Sequence, residues 1–183
     1  YASDPSKEES QRYLTEKFLF NYFSNNKNYV FVIKTHPQDN GKITNYAYID
    51  AEQPSNIVLI GDKKQKDQII SKRFKIFDNF DFNSSIAKCD GFLTASSSSI
   101  LQAMVLNTNS GIVDLFNNGT FKYLSEHKVI SLVKDSNSLT SFLERKSIIC
   151  NDEVLRYCGL NKDSKFNLVD HLQHRFEEFH KYR

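Results

Sequence analysis

The sequence has little of what several classes of protein require. Its three cysteines, Cys89, Cys150 and Cys158, are odd in number and form no CxxC pair. A disulfide framework is therefore not expected. A reducing, cytosolic setting is expected instead. No apolar run approaches the ~20 residues that span a bilayer, and no stretch has the layout of a signal peptide. The formal net charge is only +2, so composition gives no reason to expect a nucleic-acid partner.

Common cofactor and metal motifs are also missing. No GxGxxG follows a predicted strand, and the stretch "GDKKQ" after the second strand is not a Walker loop. His171 and His174 are three residues apart on a predicted helix. No Glu motif or cysteine cluster accompanies them, so a solvated helix face is the favoured interpretation and no metal site is expected.

Apolar segments and amphipathic segments alternate along the 183 residues. The apolar segments are rich in β-branched and aromatic residues, and no tight two-residue turn joins them, which favours buried parallel strands. We predict one α/β domain over 1–183 with a doubly wound, mostly parallel, Rossmann-like sheet. Strands are predicted at 29–33, 56–62, 91–95, 110–116 and 127–133, with a further strand or extended segment at 73–79, and helices at 9–26, 82–89, 99–107, 136–146 and 165–183.

The first candidate motif is "KTHP", which follows the apolar strand "YVFVI". Lys34 and His36 alternate off the strand and can reach one side of its end. Lysine supplies a positive charge, and histidine supplies an N–H donor that also acts as an acid near neutral pH. Pro37 fixes the backbone behind them. The alternative is a surface loop that happens to contain a histidine.

The second candidate motif is the serine run Ser96, Ser97, Ser98 and Ser99, between a predicted strand and a predicted helix. The first N–H groups of a helix lack internal partners and attract phosphate. Small residues let phosphate approach the backbone, and hydroxyls add donors. The alternative is that one serine caps the helix while the others fill a turn.

Both motifs lie where ligands bind in doubly wound sheets, beyond the carboxyl ends of the strands. We therefore expect them to share one edge and to bind the phosphate of a nucleotide, stabilising charge on a departing phosphate. Asp114, at the end of the strand "SGIVD", is a weaker candidate for facing a ribose. A non-catalytic, flavodoxin-like binding module with inert strand ends stays open.

The pattern "KxHP" after a buried strand, followed later by "CDGFLTASSSS", resembles the C-terminal domain of GT-B glycosyltransferases. The similarity is to bacterial sialyl-, polysialyl- and Kdo transferases and to polyol-phosphate transferases of the teichoic-acid type. It implies that His36 is the HP histidine, that Ser97 and Ser98 are the serine pair contacting the donor phosphate, and that Lys34 assists them. Gln102 stands where many GT-B enzymes place a glutamate, which disfavours a UDP-sugar donor.

The resemblance implies a nucleotide-sugar-dependent glycosyltransferase of bacterial capsule or lipopolysaccharide synthesis. The expected donor is a CMP-activated sugar such as sialic acid or Kdo, with His36 catalytic and no cofactor or metal. The expected partners are the donor, a glycan acceptor and an N-terminal GT-B domain in cis or in trans. The chain is then a fragment of a two-domain enzyme in the bacterial cytoplasm, with peripheral association at the inner face of the membrane. The alternative enzyme is a CDP-polyol phosphotransferase.

Overall fold

The computed structural model describes residues 9–36, 54–61, 74–76, 81–126 and 128–145. The chain divides into two compact units, Tyr1–Ser147 and Ile148–Arg183, and every described residue belongs to the first. The predicted last helix, its two histidines and the cysteines at 150 and 158 lie outside the described residues. The extent of the domain and the packing of that helix on another domain therefore stay predictions.

Helices and strands alternate along the described residues. Their bounds are α1 Glu9–Asn25, β1 Phe31–Lys34, β2 Ile57–Gly61, β3 Phe74–Ile76, α2 Phe82–Ala87, β4 Phe92–Thr94, α3 Ser99–Val105, β5 Ser110–Val113, α4 Lys122–Glu126, β6 Ser131–Val133 and α5 Ser136–Glu144.

The strands form two three-stranded sheets with the orders β1-β2-β3 and β4-β5-β6. Every strand pair is parallel. In the first sheet Phe31 pairs with Ile57, and in the second Thr94 pairs with Ile112. This arrangement confirms the predicted α/β, Rossmann-like fold with parallel strands.

Helices cover both faces of the second sheet. Successive side chains of a strand point to opposite faces, and the two neighbours Phe92 and Leu93 show what lies on each. The Phe92 ring packs edge-on against Phe82 of α2, with 6.1 Å between ring centroids. On the other face, a Cβ placed on Gly111 would lie 2.9 Å from Leu93 Cδ2 and 3.1 Å from the Phe142 ring of α5. The sheet is therefore doubly wound, as expected.

One hydrophobic core cluster joins the two sheets with α1 and α5. At its α1 end, Phe23 stacks on Phe31 with 4.3 Å between ring centroids, and the Tyr22 hydroxyl bonds to Thr140 of α5 at 2.8 Å. Its buried members share the face that α1 and α5 cover: Leu19, Phe20, Phe23, Phe31, Ile33, Ile57, Leu59, Leu93, Val113, Val133, Leu139 and Phe142.

Two aspartates cap helices that the sequence predicts. The Asp81 carboxylate accepts the N–H groups of Asn83 and Ser84 at the start of α2, and Asp135 forms a capping box with Ser138 at the start of α5. The hydrogen bonds from Ser84 lower the pKa of Asp81. The hydrogen bonds from Ser138 lower the pKa of Asp135 in the same way. In both cases the donors stabilise the ionised carboxylate.

Three local features differ from the prediction. The strand predicted at 110–116 ends at Val113, because Asp114 accepts the N–H groups of Asn118 and Gly119 and so turns the chain. The strand predicted at 127–133 is confined to Ser131–Val133. Val129, which precedes this strand, closes the short helix α4 by donating its N–H to the Leu124 carbonyl. The helix α4 itself was not predicted.

Candidate functional site

The "KTHP" motif lies at the carboxyl end of β1, as predicted. Lys34 is the last residue of the strand, and the fully buried Thr35 continues the ladder by donating its N–H to the Ile60 carbonyl at 2.9 Å. The Thr35 hydroxyl donates to the same carbonyl at 3.2 Å. His36 follows and is half-buried, whereas Pro37 lies outside the described residues. The sheet thus fixes the backbone directly before His36.

The Lys34 side chain extends toward the second sheet. Its Nζ donates to the Thr35 carbonyl at 3.0 Å and lies 6.0 Å from the centroid of the Phe82 ring. Phe82 packs in turn on Phe92 of β4, the strand that leads into the serine run. The lysine charge therefore lies beside the first residue of α2, the helix that packs on the second sheet. Phe82, which helps to hold it there, was not identified from the sequence, because its contact with Lys34 joins segments far apart in the chain.

The serine run forms the connection between β4 and α3. Thr94 Oγ1 accepts the N–H of Ser97 at 3.1 Å. Ser97 Oγ accepts the N–H of Ser99 at 3.3 Å and also bonds to the Ser99 hydroxyl at 2.7 Å. Thr94 was missed as a residue that shapes the turn. The signal was present, since Ser and Thr side chains accept nearby backbone N–H groups in such turns.

The four serine hydroxyls divide into two kinds. Those of Ser97 and Ser99 bond to each other. Ser98 occupies the N-cap position but makes no capping hydrogen bond with its side chain, and it is exposed. Ser96 Oγ is buried and has no hydrogen-bond partner in the structure. The hydroxyls of Ser96 and Ser98 therefore take no part in the hydrogen bonds of the turn among the described residues, and that of Ser98 is exposed to a ligand directly.

The helix behind the serines is short. It spans Ser99–Val105, seven residues, and it opens with the Ile100 and Leu101 N–H groups bonded three residues back, to Ser97 and Ser98. So short a helix has only a small macrodipole. An anion at this edge would depend mainly on the hydroxyls and on the charge of Lys34, and less on the helix end than the sequence suggests.

The ends of β4 and β5 are neighbours. The pairing of Thr94 with Ile112 makes β4 and β5 neighbours, so the turns that follow them, which contain Ser96 and Asp114, leave the same edge of the sheet. Asp114 is buried, and its two carboxylate oxygens accept the N–H groups of Asn118 at 2.7 Å and Gly119 at 3.0 Å. Its observed role is thus to hold its own loop. Contact with a ribose stays a prediction.

The two candidate motifs both lie at the carboxyl ends of strands, but these strands belong to different sheets. Both follow the carboxyl end of a parallel strand. Within the described ranges, no hydrogen bond joins Lys34 or His36 to the serine run. Any function that combines them requires one ligand to contact both.

A cavity of 420 Å³ lies at the opposite edge, where β1 and β4 begin. Its lining is mainly apolar, including Phe23, Tyr29 and Val30, with Lys88 and Asp90 as its charged residues. None of the predicted site residues lines it. The free, exposed Cys89 also belongs to this lining, and its thiol donates to the Ser85 carbonyl at 3.1 Å.

No protein-family model, curated protein or solved structure proves similar to this chain. Among the described residues there is no group of three His, Cys, Asp or Glu side chains that could hold a metal ion. The helices in that part of the chain include none that is both long and apolar enough to cross a membrane. Function therefore has to be argued from the strand-end residues themselves.

Proposed function

We propose that this chain is the donor-binding part of a GT-B-type glycosyltransferase of bacterial surface-polysaccharide synthesis. The observation that carries the proposal is the placement of Lys34 and His36 after β1 and of Ser96–Ser99 after β4, at carboxyl ends of parallel strands. Ligands of parallel α/β sheets bind beyond these ends. A cation, an imidazole and several hydroxyls together form a suitable environment for a phosphate.

The residues have distinct roles in the proposal. Lys34 supplies the positive charge, and His36 donates an imidazole N–H to a phosphate oxygen. The hydroxyls of Ser96 and Ser98 add neutral donors from the second sheet. They differ from the pair Ser97 and Ser98 that the resemblance implies, because the Ser97 hydroxyl is bonded to that of Ser99. Each group stabilises negative charge on the phosphate more strongly as that charge develops during transfer.

The chemical step is displacement at the anomeric carbon of the donor sugar. An acceptor hydroxyl oxygen forms a bond to that carbon, and the bond from the carbon to the donor phosphate oxygen breaks with its electron pair on the phosphate. The hydroxyl proton passes to a base, which we assign to an N-terminal domain outside this chain. His36, Lys34 and the serines stabilise the departing nucleotide, so a metal ion is not required.

We expect the donor to be CMP-linked, as for sialic acid or Kdo, and the acceptor to be a glycan. The enzyme would work in the bacterial cytoplasm at the inner face of the membrane, with the N-terminal GT-B domain in cis or in trans. A CDP-polyol phosphotransferase would use the same residues, and the donor distinguishes the two activities.

The test is calorimetric titration of the chain with CMP, CDP, UMP and UDP, repeated on His36→Ala and Lys34→Ala. We expect cytidine nucleotides to bind and each substitution to weaken them about ten- to hundredfold, since a hydrogen bond to a charged group contributes roughly 1.5–3 kcal/mol. Lys88→Ala is the matched control, because it removes the same charge at the opposite edge. Absence of binding by all four nucleotides, with the chain folded, would contradict the proposal and favour a non-catalytic module.

A further inference from the structure

The segment after β5 exposes aromatic side chains, and neither candidate motif uses them. Phe116 is 38% exposed and Tyr123 is 42% exposed. The half-buried Phe121 lies between them in sequence, 6.4 Å from Tyr123 between ring centroids. Phe116 and Tyr123 are two of the four large hydrophobic residues that are exposed in the described part of the chain. We name residues 116–123 the aromatic segment.

The aromatic segment and the serine run leave the same edge of the second sheet. They follow β5 and β4, which are paired in parallel, and the carboxyl ends of parallel neighbours lie at one edge. The Gln11 side chain of α1 contacts the segment through a hydrogen bond from Asn118 at 3.2 Å. The exposed rings thus follow the strand next to the one that carries the phosphate-binding serines.

Hydrogen bonds hold the aromatic segment in one conformation. Asp114 fixes the N–H groups of Asn118 and Gly119. The Gly119 carbonyl then accepts the N–H of Lys122 at 3.1 Å, and the Phe121 carbonyl accepts that of Leu124 at 2.9 Å. A ring on such a segment can receive a flat ligand with little loss of conformational freedom on binding.

The backbone at Phe121 is strained. Its φ is +55°, a left-handed conformation that a bulky side chain seldom adopts. Such strain persists only where the surroundings impose it, and it concentrates at functional sites. Glycine would adopt this φ at no steric cost, so the aromatic ring at this position is retained in spite of an unfavourable backbone conformation.

We infer that the aromatic segment is the platform on which the nucleobase of the bound nucleotide stacks. The inference rests on the proposed function, because the phosphate bound at the serine run is what would bring the base to the neighbouring loop. Aromatic side chains stack on any base, since every base has a π-face. Phe121 and Phe116 are the assigned stacking residues, with Tyr123 supporting the Phe121 ring.

The test compares two ligands, CMP and ribose 5-phosphate, which share a sugar and a phosphate and differ in the base. We expect CMP to bind the wild-type chain about tenfold more tightly or better, the scale of one base–aromatic stack. Phe121→Gly should abolish most of that difference by weakening CMP alone. A melting curve checks that this variant is folded. Glycine relieves the positive φ, while loss of the half-buried ring and the greater freedom of the unfolded chain oppose that gain.

Asn117→Gly is the matched control. Asn117 lies in the same segment with a φ of +56°, so the substitution makes a similar backbone change without removing a ring. We expect both ligands to bind it as they bind the wild type. Phe116→Ala and Tyr123→Ala provide a second measurement that does not involve the strained residue, and we expect the Phe116 variant to weaken CMP selectively.

The outcomes separate this inference from the proposed function. If CMP and ribose 5-phosphate bind with equal affinity and both depend on His36, the inference of a stacking platform is overturned while the proposed phosphate site stands. Failure of both ligands to bind would overturn both proposals. Equal weakening of both ligands by Phe121→Gly would show that the segment shapes the phosphate site and does not stack on the base. The platform is also overturned if none of the three aromatic substitutions reduces CMP affinity by more than about twofold, well under the effect of one stack.

Discussion

The two edges of the sheets use polar side chains in opposite ways. At the amino edge, Asn56 and Asn109 each stand directly before a strand and are buried. The Asn56 amide donates to the carbonyls of Phe23 at 2.8 Å and Tyr29 at 2.9 Å. The Asn109 amide donates to the Phe142 carbonyl at 2.8 Å. These side chains connect helix ends to strand starts.

The two asparagines also close the two sheets in the same manner. The Phe31 N–H donates to the Asn56 carbonyl at 2.8 Å, and the Phe92 N–H donates to the Asn109 carbonyl at 2.8 Å. Each asparagine thus bonds the first residue of the neighbouring strand with its backbone and the carboxyl end of a covering helix with its side chain. At the carboxyl edge Ser98 is exposed and makes no cap, and Ser96 Oγ makes no hydrogen bond within the described residues. Asn56 Oδ1 and Asn109 Oδ1 likewise accept no hydrogen bond there, so the two edges differ in their donors: the asparagine amides donate to the backbone, whereas the hydroxyls of Ser96 and Ser98 are uncommitted.

The difference separates stability from function. The asparagine amides at the amino edge contribute to folding by bonding the backbone. At the carboxyl edge Thr94 and Asp114 also bond the backbone, whereas the hydroxyls of Ser96 and Ser98 leave donors for a ligand. Substitutions at or near the amino edge should therefore change the free energy of unfolding, and those at the carboxyl edge should change binding.

The largest expected effect comes from Phe142→Ala near the amino edge. The Phe142 ring is 1% exposed and lies against Gly91 and Gly111, where an added Cβ would come within 2.9–3.1 Å of it. We expect a loss of about 3–5 kcal/mol in the free energy of unfolding, measured by urea denaturation, because a large cavity opens in the core. Leu14→Ala, at a 48% exposed position, is the control. A loss below ~1 kcal/mol for Phe142→Ala would contradict the described packing.

Asn109→Ala should have the next largest effect. It leaves the buried carbonyls of Phe142 and Arg145 without the amide donor that they share. We expect a loss of about 1–3 kcal/mol in the free energy of unfolding, with nucleotide affinity unchanged once the chain is folded. Asn137→Ala, on the exposed side of α5, should be close to neutral. If the folded Asn109→Ala variant bound nucleotide more weakly, the claim that this amino-edge residue contributes to stability and not to binding would be contradicted.

Ser96→Ala, at the carboxyl edge, should weaken binding without lowering the free energy of unfolding. Its buried hydroxyl has no partner in the described structure, so removal should leave the free energy of unfolding unchanged or raise it by up to ~1 kcal/mol. Calorimetry should at the same time show weaker CMP binding. Thr140→Ala, which removes a hydroxyl from α5, should leave binding intact. A destabilised Ser96→Ala that binds CMP normally would assign Ser96 to folding.

The smallest expected effect is a pH dependence at Asp135. Because hydrogen bonds from Ser138 lower its pKa in the folded state from 3.8, its ionised cap stabilises the fold above the unfolded pKa and loses that contribution as pH falls through the folded pKa. Asparagine also caps helices but carries no charge. Melting temperatures of wild type and Asp135→Asn should therefore converge as pH falls below about 4. Asp90→Asn is the exposed control, and a difference that does not change with pH would contradict the charge effect.

Much of the fold follows from local patterns. The apolar runs that contain β1, β2 and β4 predict buried parallel strands, because only strands covered on both faces are apolar throughout. The helices α2 and α5 were predicted close to their observed bounds, and the caps that the structure shows at Asp81 and Asp135 are local, since a cap acts within one turn. Placement of Lys34, His36 and the serines at carboxyl ends follows from the same reasoning. Their convergence on one ligand stays a prediction.

The remaining features depend on contacts that are distant in sequence. The length of β5 is set by the hydrogen bonds of Asp114, and α4 is too short to show a helical period. The run of four serines gives no indication of which hydroxyls bond to each other. Ser97 and Ser99 pair because the turn brings them together, and that pairing is what leaves Ser96 and Ser98 for a ligand.

By itself the sequence determined the alternation of helices and strands and the strand ends that carry the candidate motifs, because each depends on interactions within a few residues. Only the tertiary structure decided which polar residues serve folding and which stay available. Asn56 and Asn109 serve folding since their amides reach carbonyls 33 residues away in the chain. Phe142 requires two glycines because its ring lies directly on the backbone of two neighbouring strands. Long-range packing of this kind has no local pattern in the sequence.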